Sequence, residues 1–165
     1  MDETSITQYI TDTFVGVDVV VASQDAGSPE VAWGDTFFFY DPDRTLPPDR
    51  RFPFATIVTK DYGDFDSASN LNRPGVFRLN IGVSRETSRA LFGAEPPRAA
   101  ADDDGERGHD FTALDQLLPH PVYGRQYWVC VLNPSAVTFQ AVVRPLLAEA
   151  YDLAVSKGAK RVTRR

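Results

Sequence analysis

The stretch HPVYGRQYWVCVLN, residues 120–133, joins a turn-prone loop to the strongest strand pattern in the chain. Residues 127–132 are aromatic, β-branched or otherwise apolar without interruption. A run of this kind is typical of a strand that is covered on both faces. The stretch therefore predicts a central strand, entered from a loop in which two prolines hold His120 in an extended or turned segment.

Four further segments are rich in aromatic and β-branched residues, as strands are. They are residues 17–22, 33–40, 54–60 and 76–83. The proline-rich turn DPDRTLPPDRRFP joins the second and third as a long hairpin loop. In the fourth, apolar residues alternate with Arg78, Asn80 and Gly82. One face of that strand is therefore expected to meet the core and the other to carry polar groups.

Helical spacing of apolar residues appears at both ends of the chain and between the strands. Helices are predicted over residues 4–13, from Ser84 as N-cap to Gly93, over one or two turns in 111–118, and along a stripe over 139–154 that ends near Gly158. Pro145 must begin a new helix or kink a continuous one. Together the pattern predicts an α+β fold, with an antiparallel sheet and helices on one face.

The length of 165 residues favours a single domain, predicted over residues 1–158. Residues 94–110 carry prolines, small residues and an acidic run with little to bury, so we expect a flexible acidic insert there. Residues 159–165 are predicted to form a basic, frayed tail. The oligomeric state does not follow from the sequence.

Charge and cysteine content exclude several classes of function. The formal net charge is −6 although five cations lie within residues 157–165, and so acidic a body disfavours general nucleic-acid binding. The single cysteine, Cys130, excludes an internal disulfide framework and a multi-cysteine zinc site. No signal-peptide pattern and no apolar run of roughly 20 residues is present, so we expect no membrane partner and a cytoplasmic location.

The loop before the central strand holds the first group of candidate site residues. His120 is the candidate catalytic base, because its ordinary pKa lies near neutrality. The more conservative interpretation is a loop histidine that bonds to the backbone. Tyr123, Arg125 and Trp128 would suit a pocket that stacks and orients a planar or anionic ligand, although a strand tryptophan is more often part of the core.

Arg78 and Asn80, on the polar strand face, and Lys60, at a strand end, are the second group of candidate binding residues. Charges in mid-strand must be solvated, paired or used, and an exposed face with an ion pair is the favoured alternative. Cys130 is expected to be a buried small hydrophobe rather than a nucleophile. The acidic residues near His109 match no calcium or zinc spacing, so neither a metal nor a cofactor is predicted.

Five segments identify the chain as similar to a bacterial family, domain-of-unknown-function family 6194. They are GDTFFFYDPD (34–43), PFATIVTKD (53–61), RPGVFRLNIGVSRET (73–87), LPHPVYGRQYWVCVLNPS (118–135) and RPLLAEAYDLA (144–154). More distantly, the order of strands, helix, tryptophan strand and final helix resembles the MmcQ/YjbR-like domains. That resemblance implies a compact double-wing fold that is suspected of binding DNA.

Three classes of function follow. The first, which we prefer, is a small-molecule-binding domain, with a cofactor-independent tailoring enzyme as a variant, that uses a polar pocket on the sheet around His120, Tyr123, Arg78 and Trp128. The second is a DNA-associated or regulatory double-wing domain that uses the basic tail and an arginine loop at residues 44–51. The third is a protein-interaction module. A lined pocket, a contiguous basic ridge and a broad apolar patch would distinguish them.

Overall fold

The computed structural model describes residues 1–94 and 108–162. Its centre is a six-stranded sheet in which every neighbouring pair is antiparallel, in the order β1-β2-β3-β4-β6-β5. The strands are β1 Val17–Val21, β2 Thr36–Tyr40, β3 Ala55–Val58, β4 Arg78–Gly82, β5 Leu117–Pro119 and β6 Trp128–Leu132. With its helices, the chain has the α+β fold that the sequence predicts.

Strand β6 lies between β4 and β5, and all of its residues after Trp128 are buried, which confirms the predicted interior strand. It begins one residue later than predicted because Tyr127 adopts a left-handed conformation with φ of 66° and closes a 3₁₀ turn. Asn133, with φ of 42°, ends the strand. The Asn133 side chain accepts a hydrogen bond from Phe77 N at 2.9 Å, which ties the end of β6 to β4.

One face of the sheet packs against the helices. Helices α1 (Glu3–Thr13) and α2 (Arg85–Phe92) precede a long C-terminal helical segment. The core joins strand residues such as Phe38, Leu79 and Val131 to helical residues such as Ile10 and Leu147. Burial of this apolar surface is the main stabilising term of the fold.

The predicted N-cap of α2 is confirmed. Ser84 Oγ accepts a hydrogen bond from Thr87 N at 3.1 Å. Glu149 of the C-terminal helix accepts from the hydroxyls of Ser84 at 2.8 Å and Thr87 at 2.7 Å. The start of α2 is thereby fixed to the long helix, as N-capping and carboxylate hydrogen bonds allow.

The helical turns predicted in residues 111–118 are wrong. Residues Leu117–Pro119 form β5, which pairs with β6, and Leu114 makes a bridge to Leu132. Asp115 has φ of 57°, and its N–H donates to Leu132 O at 2.7 Å. Apolar spacing over one or two turns fits a helix and a short strand equally well, and pairing with the buried β6 decides the outcome.

The C-terminal helix resolves the alternatives left open for Pro145. A short helix α3 (Ala136–Thr138) runs into a π-helical turn at Phe139–Val143 and then into α4 (Arg144–Val162). The wide turn lies directly before Pro145, which has no N–H for a regular α-helical bond. The helix also continues past Gly158, so the basic tail begins inside α4 rather than as a frayed end.

Two other predictions concern the acidic insert with the basic tail, and the start of β2. Most of the predicted acidic insert, residues 95–107, and the last three residues of the tail lie outside the described residues. The predicted strand 33–40 begins only at Thr36, because Gly34 turns the chain with φ of 90°.

The second face of the sheet is covered by the chain between β3 and β4. Val58, Leu71 and Leu132 form a small buried cluster there, with Tyr62 and Val76 packed against it. We call residues 59–72 the cover segment. It places the polar side chains of Asp66 and Ser69 against Arg78, on the face opposite the helices.

Candidate functional site

Six polar side chains meet between the sheet and the cover segment, and we call them the buried polar network. The members are Thr56, Asp66, Ser69, Arg78, Asn80 and His120. Arg78, Asn80 and His120, all predicted as site residues, are therefore brought together by the fold. Asp66 and Ser69 come from the cover segment and were not predicted.

Arg78 is the centre of the network and is only 1% exposed. Asp66 accepts two hydrogen bonds from its guanidinium, at 3.1 and 2.5 Å. Ser69 Oγ and Asn80 Oδ1 each accept another at 2.8 Å. A buried charge requires such pairing, and of the five N–H groups of an arginine only one, which faces His120, is left. The guanidinium is thus committed to the fold.

Asn80 continues the network across the sheet. Its amide donates to Thr56 Oγ1 at 3.0 Å, on the neighbouring strand. On its other side Asn80 pairs with Cys130 of β6. Burial raises the pKa of the Cys130 thiol to about 12, so the thiolate that a nucleophile needs is not formed at neutral pH.

His120 is 3% exposed and has three N–H donors around its two ring nitrogens. Nδ1 accepts from the backbone N–H groups of Val122 and Tyr123, both at 3.0 Å. Nε2 lies 3.2 Å from Arg78 Nη2 and 4.0 Å from Asp66 Oδ2. A neutral imidazole has one acceptor nitrogen, so we assign the proton to Nε2, on the side of the Asp66 carboxylate.

The electrostatics of His120 favour a neutral ring. Burial and then the neighbouring Arg78 charge lower its pKa to about 3, although Asp66 opposes the shift. The ring is therefore neutral at physiological pH. Its one acceptor nitrogen, Nδ1, already accepts hydrogen bonds from two backbone N–H groups. A general base needs an open acceptor nitrogen with a pKa near the working pH. The geometry favours the conservative interpretation, in which His120 fixes the turn.

Exposed aromatic rings lie outside the network. Tyr123 is 42% exposed, and its ring centroid is 5.0 Å from that of His120. Phe65 of the cover segment is 63% exposed and lies 6.1 Å from Tyr123. The pair forms an apolar rim above the network without opening a path to Arg78.

A second buried carboxylate anchors the start of the cover segment. Asp35 accepts hydrogen bonds from Thr59 N at 2.8 Å and Thr59 Oγ1 at 3.0 Å, and a short one from the Tyr62 hydroxyl. Burial and the bond to Asp35 raise the pKa of Tyr62. Neither residue was predicted, since nothing in the sequence links positions so far apart. A buried arginine in a strand is nevertheless a signal that carboxylates lie nearby.

The remaining predicted site residues lie apart from the network. Lys60 donates to the backbone oxygen of Trp33, near the start of β2. Arg125 is exposed in the 3₁₀ turn Gly124–Gln126. Trp128 packs against Gly82, where an added Cβ would lie 3.3 Å from the indole. The predicted pocket around all of these side chains is therefore divided among separate places.

A large cleft lies at the end of the sheet where β2 and β4 end and β3 and β6 begin. Its volume is about 1130 Å³. Its walls come from the β2–β3 loop (residues 41–53) and the second half of α4 (residues 150–161), and residues such as Gly82 and Trp128 complete the lining. We call it the terminal cleft. Trp128 is the one predicted site residue that lines it.

The apolar lining of the terminal cleft is rich in rings. The aromatic members are Phe39, Tyr40, Phe52, Phe54 and Trp128. Phe52 is 71% exposed, which is a large fraction for a phenylalanine beside a concave surface. Tyr40 packs edge-on against Tyr151 of α4, so the end of β2 and the helix are held together beside the cleft.

Two kinds of cation line the terminal cleft. Arg51 pairs with Asp18 and Asp41, and its Cζ lies 4.3 Å from the Phe39 ring centroid. Arg50, Lys157 and Arg161 are exposed instead. Within the part of the chain that the structure describes, no carboxylate forms an ion pair with these three. Their charges are thus available to a ligand.

Among the described residues, no group of three or more histidine, cysteine, aspartate or glutamate side chains is placed to hold a metal ion. None of the helices in residues 1–94 and 108–162 is both long and apolar enough to cross a bilayer.

Comparison with known proteins gives membership but no activity. A family model described as a family of unknown function (DUF6194) matches residues 1–163. No curated protein and no solved structure matches the chain. The buried polar network and the terminal cleft are therefore the features of this chain that bear on its function.

Proposed function

We propose that this chain, which belongs to that family of unknown function, is a small-molecule-binding domain whose ligand occupies the terminal cleft. The observation that carries the proposal is the cleft of about 1130 Å³ with five aromatic side chains in its lining. Ligand sites are concave and mostly apolar, with a few polar groups and volumes of roughly 300–1,000 Å³. The terminal cleft has this chemistry, and its volume lies slightly above the upper end of that range.

The buried polar network is a less favourable place for a ligand than the terminal cleft. A ligand that reached Arg78 would have to displace Asp66, Ser69 or Asn80 from it. Leaving a buried polar group unpaired costs about 1–3 kcal/mol. Ligand binding in the terminal cleft involves no such displacement, because its polar rim is exposed to solvent.

Binding is favoured over catalysis by the residues in the lining. Its acids are Asp41, which bonds to the backbone N–H groups of Thr45 at 3.1 Å and Leu46 at 3.2 Å, and the exposed Asp43. Among the described residues of the lining there is neither a histidine nor a cysteine. General acid–base catalysis needs a positioned proton-transfer group. A positioned proton-transfer group in the cleft would support the enzymatic variant of this proposal, a cofactor-independent tailoring enzyme.

A ligand screen with a blocked cleft tests the proposal. Ala159 lines the cleft on exposed helix surface, so Ala159→Trp would fill part of the volume. Ser156→Trp adds the same side chain to the same helix outside the lining and serves as the matched control. Metabolites that raise the melting temperature of the wild type and of Ser156→Trp, but not of Ala159→Trp, are the expected result. Hits that survive the block would place the site elsewhere.

One observation favours the DNA-associated alternative. Arg161 donates to the backbone oxygen of Arg50 at 3.0 Å, so the arginine loop and the C-terminal helix meet. Against a continuous basic ridge, Arg44 and Arg51 both pair with Asp18. We expect only weak, salt-dependent binding of duplex DNA near physiological salt. Sequence-specific binding in the nanomolar range would favour the double-wing alternative instead.

The finer expectations from the sequence belong to the proposal as well. A cytoplasmic location fits a domain that binds a metabolite. The double-wing type of the MmcQ/YjbR-like domains is carried only by the order of elements, and it remains a prediction. A solved structure of a relative with that wing arrangement would test it.

A further inference from the structure

We infer that the ligand of the terminal cleft is a small aromatic anion, such as an aromatic carboxylate, with its anionic group at Arg50, Lys157 and Arg161. This inference rests on the proposed function and adds the chemical class of the ligand. It depends on the charge of the rim, whereas the proposed function depends on the volume and the rings.

The charge of the rim is opposite to that of the protein. The chain has a net charge of −6, yet the exposed charged residues of the cleft lining are three cations and Asp43. Salt screens charges beyond about 8 Å at physiological ionic strength. A ligand in the cleft therefore experiences mainly the nearby cations rather than the acidic body.

The residues that carry the three cations lie close together in the fold. Lys157 and Arg161 are four residues apart on α4, so their side chains lie next to each other on the helix surface. The bond from Arg161 to the backbone oxygen of Arg50 places residue 50 beside Arg161, and all three residues line the cleft. Like charges held together are unfavourable. An anion bound between them would relieve that repulsion.

The fourth cation of the lining has a different role. Arg51 is neutralised by Asp18 and Asp41, so it offers no net charge to a ligand. It lies over the Phe39 ring instead, where it braces that aromatic side chain. Phe39, Phe52 and Trp128 then provide flat apolar surfaces for the body of the ligand.

The surroundings favour a small anion over a polyanion. Asp43 and Asp49 are exposed on the same loop as Arg50, and Asp152 is exposed on α4. These carboxylates would repel a long phosphate backbone that ran past the cleft. A single carboxylate seated among the three cations would not extend to them.

Two tryptophans make the test specific. Trp128 lines the cleft, whereas Trp33 lies before β2, at the opposite end of the sheet, and its indole donates to Ser28 O. Each gives one indole N–H signal in a ¹⁵N-labelled sample of the full chain. The probes are 2-naphthoate and 2-naphthamide, which share the ring system and differ in charge. We expect naphthoate to shift the Trp128 signal, to leave the Trp33 signal in place, and to bind at least about fivefold tighter than naphthamide.

Charge variants complete the test. Lys157→Gln and Arg161→Gln should each weaken naphthoate binding by about fivefold, while naphthamide affinity changes less than about twofold. Lys160→Gln is the matched control, because Lys160 is exposed on the same helix but does not line the cleft. It should leave both affinities unchanged.

The outcomes separate this inference from the proposed function. Equal affinity for the two probes, with Trp128 shifted by both, overturns the ligand class and leaves the cleft as a binding site. Equal weakening by Lys160→Gln and Arg161→Gln also overturns it, since the effect would then be general electrostatics. If neither probe shifts Trp128, or both shift Trp33 as much, the inference and the proposed site fall together.

Discussion

The buried polar network and the terminal cleft both contain arginines, yet the two regions use charge in opposite ways. In the network, Arg78 is buried and donates to three neighbouring side chains. In the cleft, Arg50 and Arg161 are exposed and form no ion pair with the described carboxylates. Burial makes the difference, because a buried charge must be paired within the fold. An arginine within a strand thus points to stability, and cations gathered at a cleft point to a ligand.

Removing the central charge of the network should have the largest effect. Arg78→Leu leaves the Asp66 carboxylate and the Asn80 amide oxygen without their donor. Breaking one side of a buried pair costs about 3–5 kcal/mol, which urea unfolding would measure. Arg125→Leu makes the same replacement at an exposed position and should cost less than about 0.5 kcal/mol. A loss below about 1 kcal/mol for Arg78→Leu would mean that the network is not structural.

His120→Ala should have the next largest effect. The backbone N–H groups of Val122 and Tyr123 lose their acceptor, which costs about 1–3 kcal/mol of unfolding free energy. This expectation follows from the alternative in which His120 bonds to the backbone, and not from a role as catalytic base. His109→Ala, at the other histidine, is the control and should cost less. If the two variants lose equal stability, the turn does not depend on His120.

The pH dependence of stability tests whether His120 is buried as a neutral ring. Its pKa falls from 6.5 to about 3 on folding, so between these values the unfolded state binds one more proton. Stability is therefore fully present above pH 6.5 and decreases by about 1.4 kcal/mol per pH unit on acidification. His120→Asn keeps an acceptor but does not titrate. Between pH 7 and pH 5 the wild type should lose about 2 kcal/mol more than the variant. Parallel stability profiles would contradict the buried neutral ring.

The cleft cations should contribute least to stability. Arg161→Gln removes an exposed charge and one bond to a backbone oxygen, so the unfolding free energy should change by less than about 0.5 kcal/mol. Thermal and urea unfolding of the variant beside the wild type would measure this. A loss above about 1.5 kcal/mol would show that Arg161 holds the loop to α4 and is not reserved for a ligand.

The sequence predicted the fold better than the site. The interior strand β6 and the cap at Ser84 were visible because they depend on neighbouring residues. The segment 111–118 was not, because its conformation is set by pairing with β6. Local patterns determine the elements that are strongly periodic, and tertiary contacts determine the short ones.

The site residues divide along the same line. Arg78 and Asn80 were identified from strand alternation, but Asp66 was missed because it lies in a loop whose path over the sheet leaves no local signal. The meeting of Arg50 and Arg161 depends on how α4 crosses the hairpin loop, over a separation of 111 residues. Such contacts follow only from the packed structure.

Unfolding measured with and without 2-naphthoate, on His120→Ala and Arg161→Gln side by side, tests most directly whether the network serves the fold and the cleft cations serve a ligand. A ligand that binds only the folded state raises the unfolding free energy by RT ln(1 + L/Kd), where L is the free ligand concentration, so with naphthoate near its Kd a loss of affinity of about fivefold removes most of that increase. We expect Arg161→Gln to keep wild-type stability without naphthoate and to lose most of the stabilisation by naphthoate. His120→Ala should lose stability near neutral pH and retain the full stabilisation by naphthoate. The reverse pattern, with stabilisation by naphthoate lost at His120 and kept at Arg161, would contradict this expectation.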